Sequence, residues 1–234
     1  SRLDHRKGLP ALAGLALFMA VGSLLQQVSL GITSVANTAF LTTLYVPLVP
    51  IFALVLFRRN ISMIRWAAVA VFLAGSWLMT GVSPREAMIG DTLVIIGALF
   101  WAGHIMLVGW LVRETKAPFQ LAFIQTFATA ILAGLVLPFV ETISIAAIIP
   151  ALPEILYAGV LSTALGFTLQ MIAQKRASNA AAAILLSLEG VFAAFAGWML
   201  LDQAMAMVAI FGAGLIFVAV ILIEVSPEQE KKTP

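Results

Sequence analysis

Nine side chains have the type and position to do chemistry inside an otherwise apolar chain: Thr38, Thr42, Tyr45, Gln26, Trp101, His104, Gln125, Gln170 and Glu189. Glu189 is the sharpest of them. It stands near the middle of residues 178–202, a run long enough to cross a bilayer that is rich in alanine and glycine. About 20 apolar residues span the hydrocarbon core, and small residues let such helices approach closely. A lone carboxyl there costs about 2–3 kcal/mol on insertion scales, so it is expected to face protein or a watery cavity. It can exchange a proton with such a cavity, or stay protonated and hydrogen-bond to a neighbouring helix.

His104 lies three residues beyond Trp101, on the same face of a helix. An imidazole beside an indole can bind a polar or aromatic solute, and its protonation near neutral pH adds control. The plainer alternative is a neutral histidine bonded to the next helix. Gln26 and Gln170 are amides in apolar runs, which need partners. They serve either as substrate contacts or as interhelical hydrogen bonds of about 1 kcal/mol each. Thr38, Thr42 and Tyr45 fall at i, i+4 and i+7, one polar stripe, followed by Pro47 and Pro50, where a kink is expected. Gln125, with Thr126 and Thr129, is a further polar candidate. The sequence has no cysteine and its only other histidine is His5, so neither a metal site nor a cofactor is expected.

These residues must be held by membrane helices. The chain of 234 residues is 62% apolar and 10% charged, with a mean hydropathy of +1.07, whereas soluble domains carry about a quarter charged residues. Eight apolar runs, roughly 10–29, 34–57, 64–81, 92–112, 118–139, 152–174, 178–201 and 205–224, predict an all-α polytopic membrane protein. The net charge of +2 comes from basic residues spread over short turns, which fits an anionic lipid surface and not nucleic acid. With the N-terminus in the cytoplasm, Arg2, Arg6, Lys7, Arg58, Arg59, Arg65, Arg113, Lys116, Lys175, Arg176, Lys231 and Lys232 lie inside and Arg85 alone outside. Both termini are therefore expected on the cytoplasmic side of the plasma or inner membrane.

A shift of 144 residues superimposes Gly22 on Gly166, Gln26 on Gln170, Leu44 on Leu188, Leu56 on Leu200 and Met63 on Met207. It also pairs Tyr45 with Glu189. The basic turn 58–65 matches the acidic turn at Asp202, so corresponding turns lie on opposite sides of the membrane, and the repeat is read as inverted. Gln26 and Gln170 are then expected to converge on its axis. The runs 92–112 and 118–139 have no counterpart. The expectation is eight helices of a ten-helix, five-plus-five protein, beginning at Ser1 without its first two helices. A groove exposing Gln26 or Thr42 is expected in their place.

The segments SNAAAAILLSLEGVFAAFAGWMLLDQ, SVANTAFLTTLYVPLVPIFALVLFRRN and GALFWAGHIMLVGWLVR resemble the EamA family of the drug/metabolite transporter superfamily. Gly190 stands after Glu189 where that family usually has proline, and Leu201-Asp202 closes the run in place of Gly-Glu. The resemblance implies a ten-helix inverted-repeat carrier with a central cavity. On it, 1–81 is the remainder of a first repeat, 82–91 a turn, 92–224 a second repeat and 225–234 a cytoplasmic tail. The function expected is secondary transport of a small metabolite, amino-acid-like or drug-like, as an exporter, with protons as a candidate coupling ion. The alternatives are a channel or a non-transporting scaffold. An intramembrane enzyme would need clustered catalytic groups, and the sequence has no HExxH, no GxSxG and no paired intramembrane aspartates. Composition says nothing of oligomeric state.

Overall fold

A computed structural model describes residues 5–33, 35–58, 61–80, 89–140, 144–201 and 206–225. The turn at 82–91 and the tail at 225–234 fall almost wholly outside these residues, as do Arg2, Arg59, Arg85, Lys231 and Lys232. Among the described residues all regular structure is helical. The elements are α1 (His5–Leu30), α2 (Val35–Thr42), α3 (Tyr45–Phe57), α4 (Met63–Thr80), α5 (Ile89–Thr115) and α6 (Pro118–Val140), then short α7 (Ile145–Ile148) and α8 (Leu152–Leu156). A π-helical stretch, Tyr157–Leu165, leads into α9 (Gly166–Gln174). There follow α10 (Asn179–Leu186), α11 (Leu188–Leu201) and α12 (Met207–Glu224). Five of the stretches are long and apolar enough to cross a membrane, and three shorter apolar helices accompany them. This is an all-α polytopic membrane protein.

Two of the expected runs are broken, and the breaks correspond. The second run does not kink at Pro47 or Pro50; it stops at Thr43–Leu44 and restarts at Tyr45. Pro47 has no N–H to offer the carbonyl of Thr43 four residues earlier. That carbonyl instead accepts from Val46 N at 2.9 Å, and the Thr43 hydroxyl donates back to Phe40 O at 2.6 Å. The run holding Glu189 stops at Ser187, with the same bonds shifted by 144: Gly190 N donates to Ser187 O at 3.3 Å and the Ser187 hydroxyl to Ile184 O at 2.6 Å. No proline is needed there, because a back-bonding hydroxyl is enough to bend a helix.

α1 and α5 form one long crossing. Leu107 lies over Gly14, Phe18 over Gly103 and Trp101 over Gly22, so numbers fall on one helix as they rise on the other and the pair is antiparallel. α4 and α12 meet more closely still. A Cβ on Gly75 would lie 2.7 Å from Gly212 O, and one on Gly212 would lie 2.5 Å from Gly75 O. Ala68, Phe72, Ile216 and Ala219 are buried in the same seam. Such close approach lets packing and backbone contacts hold helices together where lipid offers no hydrophobic drive.

The main core joins α3, α4, α5, α10 and α12 around Tyr45, Val49, Phe72, Ala102, Ile184 and Ile216. A second cluster packs α1 and α9 against α5 and α6 through Leu15, Leu111, Leu121 and Met171. Elsewhere the apolar surface faces outward. From Leu152 to Gly166 every residue but Thr163 is exposed. An apolar cleft of about 630 Å³ opens between α1, α3 and α5 among Phe18, Phe52, Phe100, Met106 and Trp110.

Candidate functional site

Four of the candidate residues meet on three helices, and a ring that the sequence did not single out completes the group. Gly22 on α1 leaves room for the Trp101 indole of α5, whose ring atoms lie 3.2 Å from where a Cβ would stand. One turn along α1, Gln26 Oε1 accepts from Trp101 Nε1 at 3.3 Å. His104, a turn beyond Trp101, sets its ring edge-on to the indole at 5.8 Å and bonds to Gln125 of α6. The distance from His104 Nε2 to Gln125 Oε1 is 2.9 Å, and because a carboxamide oxygen only accepts, Nε2 carries the proton. Phe167 of α9 closes the third side. Its ring lies parallel to Trp101 at 6.2 Å and edge-on to His104 at 5.9 Å.

His104 and Gln125 are fully buried, yet His104 Nδ1 and Gln125 Nε2 have no hydrogen-bond partner. An unsatisfied buried polar group costs about 1–3 kcal/mol. The cluster therefore holds one acceptor and one donor with unused capacity beside two aromatic faces. No group of histidine, cysteine or carboxylate side chains able to hold a metal occurs among the described residues.

Gln170 is buried three residues past Phe167 and bonds within its own helix. Its Nε2 donates to Gln174 Oε1 at 3.0 Å, and Gln174 Nε2 donates to Ile105 O of α5 at 3.0 Å. Among the described residues the two symmetry-related amides share no hydrogen bond.

The remaining candidates form a separate group. Thr38, Thr42 and Tyr45 are buried, so the polar stripe points inward, though the break at Thr43–Leu44 divides it. The Thr42 hydroxyl donates to Thr38 O at 2.7 Å and Thr38 Oγ1 has no partner. The expected exposure of Gln26 or Thr42 is not seen, since Thr42 is buried and Gln26 is half-buried against Trp101. The break at Ser187 puts Glu189 in the first turn of α11, where the helix dipole favours a carboxylate, and its side chain reaches the surface there. Under the 144-residue shift its partner is Tyr45, which is buried.

Reading the sequence missed Phe167 and Gln174. Gln174 had a signal, a second amide one helical turn after Gln170 in an apolar run. Phe167 had none, being one of 15 phenylalanines.

Three comparisons bear on this arrangement. The model of the EamA-like transporter family matches residues 88–225. A protein of Archaeoglobus fulgidus, described as an uncharacterized transporter, is 32% identical over 213 residues, or 90% of this chain. The chain spans 66% of that relative's length. A solved crystal structure superposes with a TM-score of 0.74 over 92% of this chain and 75% of its own, at 15% identity, which is a likeness of fold.

Proposed function

Since the chain belongs to the EamA-like transporter family, we propose that it is a secondary carrier for a small metabolite, amino-acid-like or drug-like, which it exports across the cytoplasmic membrane. The observation that carries this reading is the cluster of Gln26, Trp101, His104, Gln125 and Phe167. Helices α1, α5, α6 and α9 converge on rings and amides whose buried Nδ1 and Nε2 atoms have bonding capacity left over. A solute with a flat apolar part and an amide or amino-acid head uses both kinds of surface. The cluster itself holds no carboxylate, lysine or arginine, so recognition there rests on hydrogen bonds and ring contacts.

An inverted five-plus-five repeat accommodates these observations. The 144-residue shift carries the bounds of α2 onto those of α10 and the bounds of α4 onto those of α12. It also carries the Thr43 break onto the Ser187 break, and Ala68, Phe72 and Gly75 onto Gly212, Ile216 and Ala219, which face them in the α4–α12 seam. Equivalent patches packed on each other support a pseudo-twofold axis through that seam. Glu189 and Tyr45 are then candidates for proton coupling, and the basic turns favour cytoplasmic termini.

The test is counterflow of amino acids and amphiphilic amines in proteoliposomes. Saturable, substrate-competed exchange is expected. Gln26→Leu, which removes the acceptor of Trp101, should raise KM about two- to tenfold, the equivalent of one net hydrogen bond. Linear, unsaturable flux would favour a channel.

A further inference from the structure

Helix α5 is held at both ends by turns that correspond under the 144-residue shift. At its start, the Thr33 hydroxyl in the α1–α2 turn donates to Asp91 Oδ1 at 2.6 Å. The turn seats on Gly90, where an added Cβ would lie 2.8 Å from Thr33 Cβ and 3.1 Å from Ile32. Toward its other end, the start of α10, just past the α9–α10 turn, seats on Gly109, where an added Cβ would collide with Asn179 Oδ1. Here Gln174 is buried and donates to Ile105 O at 3.0 Å, while Arg113 Nη1 donates to Gln174 O at 3.5 Å.

Both contacts share a plan: a glycine on α5, the junction of two helices lying on it, and a polar bond nearby. Gly90 and Gly109 are 19 residues apart, about 28 Å along a helix, close to the thickness of a bilayer's hydrocarbon core. The seats therefore lie near opposite membrane faces, with the aromatic cluster of Trp101 and His104 between them. Each junction also ends a helix that contributes to that cluster, α1 in one case and α9 in the other.

We propose that the two seats are separate latches closing the carrier at its two faces. Thr33 with Asp91, and Gln174 with Ile105 O, are then positioning residues that hold α5 shut at one end or the other during transport. The proposal rests on the carrier reading. A carrier with alternating access must open one face at a time, and a hydrogen bond seated on glycine can be parted without dragging a side chain through the neighbouring backbone. In the structure both latches are made.

The chain has no cysteine, so single reporters can be introduced without background. Ser29→Cys lies on α1 one turn before the first latch, and Met171→Cys on α9 one turn before Gln174; both native side chains are fully buried. Labelling by a water-soluble maleimide is measured in proteoliposomes permeabilised so that the reagent reaches both faces. Thr33→Val should speed labelling at 29 about two- to tenfold, the effect of one net hydrogen bond, and leave 171 unchanged or slower. Gln174→Leu should do the reverse. Thr33→Ser, which keeps the hydroxyl, should label like the parent. Faster labelling at both reporters, no change at the near reporter, or a Thr33→Ser pattern like that of Thr33→Val would overturn the proposal. Thermal unfolding of each variant in detergent should stay within a few degrees of the parent; a large fall with both reporters exposed is loosening of the fold and counts against the latches. Substrate counterflow by the unmodified chain is run alongside. Its absence would sink the carrier reading while the labelling pattern still decides the latches.

Discussion

Glu189 and Tyr45 are the pair of residues on which the coupling question turns. The carboxyl reaches the surface in the first turn of α11, and Tyr45, its partner in the 144-residue shift, is buried in the first turn of α3. If the carboxyl carries the coupling proton, Glu189→Gln preserves shape and hydrogen bonding but cannot titrate. Counterflow should then survive while accumulation driven by a pH gradient disappears, which proteoliposome uptake with and without the gradient measures. Undiminished gradient-driven uptake by the Gln variant would remove Glu189 from coupling. A carboxyl that only complements the α11 dipole predicts instead that Gln and Leu alike lower stability by about 0.3–1 kcal/mol and leave gradient-driven uptake intact.

Among the elements, α4 and α12 show how sequence sets distance. The Cβ of an alanine at 212 would sit 2.5 Å from Gly75 O and 2.6 Å from Met79 N, and backbone cannot step aside as a side-chain tip can. The helices must separate, so Gly212→Ala should destabilise by about 1–3 kcal/mol, as overpacking does. Gly214 is two residues away on the same helix with nothing within 4 Å. There, Gly214→Ala should be neutral or stabilise by up to about 1 kcal/mol through helix propensity. Thermal unfolding of the two variants in one detergent makes the comparison; equal effects would refute the seam. Both changes add one methyl group, so only the neighbour across the interface separates them.

For the whole molecule, the prediction concerns which ends share a side. The contacts place the α1–α2 turn beside the start of α5 and the α9–α10 turn toward its other end. Cysteines at Ile32 and Ile89 should label from one face of intact vesicles, and cysteines at Lys116 and Lys175 from the other. Labelling of 116 and 32 from the same face would break the arrangement. The sequence by itself determined the membrane class and the positions of the helices, because hydropathy and turn charge are local properties read residue by residue. It also carried the 144-residue correspondence, which reappears in the bounds of α2 and α10 and of α4 and α12. The meeting of Trp101 with Gln26 and of His104 with Gln125 was not legible, because α1, α5 and α6 are each apolar on nearly every face and no stripe says which face meets which neighbour. Tertiary packing decided that through glycines whose missing side chains admit a particular partner, as Gly22 admits Trp101 and Gly90 admits Thr33. The placement of Glu189 in a helix's first turn was likewise fixed only by the fold, since the Ser187 hydroxyl that takes up Ile184 O leaves no mark on a hydropathy profile.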